Sequence, residues 1–89
     1  MEITIERQVL ESGGILSVAT LPPAILKRLG SLKAKRVVSS PDPATAHDRE
    51  WALLLGIREA LGNKLVFGDD SPSWVNGSKS VFYCAFTDS

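Results

Sequence analysis

The sequence predicts an α+β domain: an antiparallel-rich sheet in the order ββαβαβββ, with one long helix packed on one face. Three observations lead there. Residues 2–10 and 15–20 read as two strands around Ser12-Gly13-Gly14. Residues 42–61 carry apolar side chains at helical spacing between clear start and stop signals. Residues 81–86 form another apolar strand, preceded by Asn76-Gly77, the strongest two-residue hairpin signal. Eighty-nine residues hold one core, and no repeat, linker or composition shift divides them. A single domain over residues 1–89 is expected.

Each element has a local cause. In the first strand Ile3, Ile5 and Val9 point one way, and Glu2, Thr4, Glu6 and Gln8 the other. This period of two marks a half-buried strand, in which Arg7 is the one break in the inner row. Glycines 13 and 14 permit the reversal through a loop of about four residues, and residues 15–20 return. Residues 21–30 then form a short helix. Pro22 and Pro23 suit its start, Gly30 suits the left-handed position past its end, and Lys27 and Arg28 oppose the negative end of its dipole. Residues 35–39 read as a strand.

The long helix starts with a carboxylate cap at Asp42 and Pro43 in its first turn, and Gly62-Asn63 stops it after about Leu61. Ala46, Leu53, Leu54, Ile57, Ala60 and Leu61 share one arc, with Thr45, Asp48, Arg49 and Glu59 roughly opposite. Trp51 and Leu55 fall outside that arc, beside His47 and Arg58. The apolar surface is therefore wider than one sheet face needs. Either a second element of the chain or a partner covers the excess, and a symmetric dimer is the expected partner. Residues 64–67 read as a short strand and residues 68–72 as a turn. Trp74-Val75 pairs through Asn76-Gly77 with the last strand. There Val81, Tyr83 and Ala85 alternate with Phe82, Cys84 and Phe86, which predicts cover on both faces.

Composition removes several classes. The chain is 44% hydrophobic and 22% charged, ordinary for a globular domain. Ten basic and ten acidic residues cancel, so no overall field steers it to nucleic acid or anionic lipid. Its longest apolar run, residues 51–57, falls far short of the ~20 residues that cross a bilayer. Glu2, Glu6 and Arg7 leave no signal-peptide core near the start, so a cytoplasmic protein is expected.

Few residues invite chemistry. A single cysteine permits neither an internal disulfide nor a cysteine-based zinc site. A Cys84–His47 dyad would need the two within hydrogen-bond reach, but Cys84 sits in an apolar strand, where free cysteine acts as a small hydrophobe. Ser39 and Ser40 lack the surroundings of a nucleophile elbow. Asp69-Asp70-Ser71 offers oxygen ligands, yet these residues equally make a good turn. A phosphate could rest where Ser39-Ser40 leads to the long helix, but Asp42 sets a negative charge at that mouth. No catalytic residue, metal site or cofactor is expected.

The distribution of charge says more than its sum. Lys27, Arg28, Lys33, Lys35 and Arg36 fall within ten positions that hold no acid. Such a segment is a solvated edge that guards a strand, a docking site for an acidic protein, or a contact for phosphates. The stretch Val18-Ala19-Thr20-Leu21-Pro22-Pro23-Ala24-Ile25-Leu26-Lys27-Arg28-Leu29-Gly30 resembles the strand-to-helix core of AbrB-type swapped-hairpin regulators and antitoxins. Their pattern is roughly V-T-L-P-x-x-I-R-x-x-L-G, which Thr20, Leu21, Pro22, Ile25, Leu29 and Gly30 match. The resemblance covers residues 18–30 and implies a nucleic-acid-binding regulator that uses residues 27–36. Ser17-Val18 stands where the family has Gly followed by Arg or Gln. A long helix follows where the family has another strand pair.

Two functions are therefore expected ahead of any enzyme. The first is a small non-enzymatic protein that docks on another protein, as inhibitors, antitoxins and phage-borne anti-defence proteins do. The basic segment would serve it, together with the apolar residues Trp51, Leu55 and Trp74. The second is the nucleic-acid-binding regulator.

Overall fold

The computed structural model describes residues 1–68, 73–75 and 78–87. Six strands and two helices follow in the order ββαβαβββ: β1 (Glu2–Val9), β2 (Ile15–Thr20), α1 (Pro23–Leu29), β3 (Lys35–Ser40), α2 (Pro43–Ala60), β4 (Leu65–Phe67), β5 (Ser73–Val75) and β6 (Lys79–Phe86). Every pairing is antiparallel. The strands lie in the order β3-β2-β1-β6-β4, and β5 shares with β4 the outer side of β6. The predicted Asn76-Gly77 hairpin and the Asp69-Asp70-Ser71 turn lie outside the described residues.

The helix signals act where the sequence places them. Asp42 accepts a hydrogen bond from the Thr45 N–H at 2.9 Å, capping α2. Gly62 and Asn63 adopt φ of 68° and 61°, the left-handed turn that ends it. Gly30 closes α1 at φ 67°, and its N–H donates to the carbonyls of Leu26 and Lys27.

Register decides which residues form the core. Ile3, Ile5 and Arg7 of β1 share the helix side of the sheet with Ser17 and Ala19 of β2 and with Ser80, Phe82 and Cys84 of β6. α2 lies against β3 and β2. Leu21, Ile25, Leu54, Ile57 and Leu65 complete the core with Ile3, Ile5, Ala19, Phe82 and Cys84. Val9, last in the inner row of β1, is 73% exposed, because the row reaches the hairpin loop there. The loop spans residues 10–14, closed by the Leu10 N–H donating to the Gly14 carbonyl at 2.8 Å.

The break at Arg7 has a partner. Its Nε and Nη2 donate to Oε2 and Oε1 of Glu50 at 2.8 and 2.7 Å. Ser17 donates its hydroxyl to the same Oε2 at 2.6 Å. Glu50 is only 1% exposed. The buried stripe of α2 is therefore Ala46, Glu50, Leu54 and Ile57, spaced four, four and three. Ala60, assigned to the core arc by periodicity, is exposed because it ends the helix beyond this stripe.

Trp51 flanks the stripe. Its ring meets Phe67 of β4 at 5.5 Å between centroids and Phe82 of β6 at 6.3 Å. A second part of the chain thus covers Trp51, one of the two ways to satisfy the excess apolar width. Leu55 is half-buried.

The far side of the sheet differs from expectation. Cover on both faces of β6 is found only in part: Val81 is buried, but Tyr83 is 50% exposed and Ala85 is exposed, while Phe82 and Cys84 are buried on the other face. Both helices serve the inner side, so Tyr83 and Ala85, beyond Val81 in that row, meet solvent.

Leu54 is completely buried on the core stripe. Leu54→Ala is expected to lower unfolding free energy by about 2–5 kcal/mol. Urea denaturation checks it, and a loss below about 1 kcal/mol would contradict this packing.

Candidate protein interface

The five cations of residues 27–36 take different roles. Lys27 and Arg28 occupy the last turn of α1. The Arg28 guanidinium lies 3.7 Å from the centre of the Phe86 ring, a cation–π contact that ties α1 to the end of β6. Arg36 turns back on its own loop. Its Nη1 donates to the Lys33 carbonyl, and to the Lys35 carbonyl at 3.4 Å, while Nη2 reaches the Ser31 hydroxyl at 3.5 Å. Lys27, Lys33 and Lys35 are exposed. The lysines therefore present charge outward, while the arginines brace α1 and the loop after it.

That loop holds a residue which charge-based reading overlooked. Leu32 is fully exposed, beside Lys33. Its neighbours are pinned: the Ser31 N–H donates to the Leu26 carbonyl at 3.1 Å, and the Leu21 N–H to the Ala34 carbonyl at 2.8 Å. The Lys33 N–H donates to the Ser31 hydroxyl at 3.1 Å. The available signal was a leucine just past the Gly30 stop, in a segment rich in lysine and arginine.

β3 leads from this loop along one edge of the sheet. Its outer row alternates Lys35, Val37 and Ser39, all exposed. Val37 stands opposite Val18, which stands opposite Glu6. The free edge is guarded, because Arg49 Nη1 donates to the Ser39 carbonyl at 2.6 Å. A guanidinium on an edge carbonyl opposes pairing with another strand. Farther along the open face stand Tyr83, opposite Glu2, and Val66, opposite Ala85. Val37, Tyr83 and Val66 are exposed to 61, 50 and 49%.

The other sequence candidates do not join this surface. Trp51 packs within the chain, and Leu55 lies on the helix layer, away from the open face. Trp74 belongs to β5, whose side chains lie outside the described residues. The cleft between the β1–β2 loop and the end of β3 is lined by Ser12, Ser39, Ser40 and Arg49. Arg49 already meets the Ser39 carbonyl there, and Asp42 caps α2. Among the described residues, no three His, Cys, Asp or Glu side chains are placed to hold a metal. No helix of the described residues is long and apolar enough to cross a membrane.

Cys84 is buried, and its thiol lies 3.7 Å from the Met1 carbonyl as donor. Burial pushes the thiol up from its ordinary range, and the N-terminal ammonium pulls weakly the other way. Since the thiolate is the reactive form, Cys84 is expected to resist an aqueous maleimide at neutral pH and to react once urea unfolds the chain. Rapid labelling of the folded protein would contradict the burial.

Comparison of the chain with protein-family models, curated proteins and solved structures returned no match.

Proposed function

We propose that this chain is a small non-enzymatic protein that acts by docking on another protein, in the manner of inhibitors, antitoxins or phage-type anti-defence proteins. The observation that carries the reading is the open face of the sheet, where Val37 of β3, Tyr83 of β6 and Val66 of β4 stand about half or more exposed. Exposed apolar groups in a shared surface are the ordinary material of protein interfaces. The strand pairing orders the backbone beforehand, so little conformational freedom is lost on association.

The same face argues against a phosphate backbone as its partner. On it Glu2 and Glu6 offset Lys35 and Lys79, and duplex binding draws most of its strength from cations that displace counterions. The regulator reading rests instead on the 27–36 segment. There two of five cations already serve the Phe86 ring and the loop carbonyls.

A photoreactive phenylalanine analogue at Tyr83, compared with one at Ala60 on α2, tests the reading in source cells. Protein adducts are expected from position 83 in excess over position 60, and they should survive nuclease. Equal adducts from both positions, or adducts lost with nuclease, would contradict it.

A further inference from the structure

We propose that Leu32, followed by Lys33 and Lys35, is the anchor of the docking surface and that its partner is an acidic protein segment with an apolar centre. The inference rests on the docking reading and names the contact.

Three observations point to it. The first is exposure. Leu21, Leu54 and Leu65 are buried, whereas the side chain of Leu32 stands wholly in water. The second is preparation. Leu32 lies in a stretch fastened at residues 31 and 34 by backbone hydrogen bonds, and Arg36 clamps the carbonyls of Lys33 and Lys35. An anchor presented by a braced loop loses little freedom on binding. The third is charge. Residues 27–36 contain five cations and no acid, and Lys33 and Lys35 are exposed on either side of Ala34. Lysines beside an apolar anchor match carboxylates around an apolar residue, a buried centre within a polar rim.

The distribution of the arginines favours a protein over a nucleic acid. Phosphate and guanine recognition exploits the planar arginine fork. Here the Arg36 fork is spent on carbonyls, and the Arg28 plane lies over Phe86. A leucine at the centre of the cationic segment gains nothing against phosphate, but gains burial against an apolar protein group.

Selection of a random-peptide display library on the immobilised full chain tests this. The recovered peptides should be rich in Asp and Glu around an apolar residue. In anisotropy titrations with the synthesised peptides, Leu32→Ala should weaken binding about tenfold or more, as expected for losing a buried leucine. The pair Lys33→Glu and Lys35→Glu should slow association and remove its salt dependence. All three positions are exposed, so thermal unfolding should match the wild type and separate binding loss from misfolding. Peptides that bind Leu32→Ala as tightly as wild type, or that are neutral or basic, would overturn the anchor while leaving docking elsewhere on the chain. A selection that returns no peptide overturns the inference. If duplex DNA then binds at physiological salt, the docking reading falls with it.

Discussion

The structure is organised around one buried ion pair. Arg7 enters the helix side of the sheet from β1, and Glu50 comes down on it from α2, with two hydrogen bonds between them and a third from Ser17. Burying charges is expensive unless partner and hydrogen bonds are in place, and breaking such a pair costs about 3–5 kcal/mol. Apolar contacts along α2 tolerate small rotations, whereas the fork of Arg7 meets both oxygens of Glu50 in one orientation. The pair therefore sets how α2 lies over the sheet. With Glu50 directed at β1, Leu54 and Ile57 enter the core beside it, and Trp51 turns toward Phe67 and Phe82.

This arrangement determines what is left outside. Both helices serve one side of the sheet, and the opposite side carries Val37, Tyr83 and Val66 in water. Three of the other arginines act as braces: Arg36 on the α1–β3 loop, Arg28 on Phe86, and Arg49 on the end of β3. Exposed apolar groups thus sit on a framework fixed by charge-assisted contacts.

Much of the fold was legible, because its signals are local. Asp42-Pro43 and Gly62-Asn63 bound α2 through capping and left-handed turns, and the alternation in β1 marks its inner row. Glu50 was missed because hydropathy sends carboxylates to solvent. It nevertheless lies four residues from both Ala46 and Leu54, on the stripe they define, and Arg7 was already an unexplained cation on the facing strand. Together those two anomalies predict the pair. The face left bare on β6 was not legible, since Tyr83 and Phe82 are both aromatic and only the helix layer decides which is buried. Of the candidate interface, the cationic segment was visible as charge. The separate duties of its arginines, and the exposure of Leu32, depend on how the loop folds back on itself.

A double-mutant cycle on Arg7 and Glu50, measured by urea denaturation, tests the central claim most directly. Arg7→Met and Glu50→Leu should each be strongly destabilising, since each leaves a charge buried without its partner. The double replacement should recover much of the loss, with a coupling on the order of 2 kcal/mol or more. Additive single effects would show that α2 is held over the sheet by its apolar stripe alone.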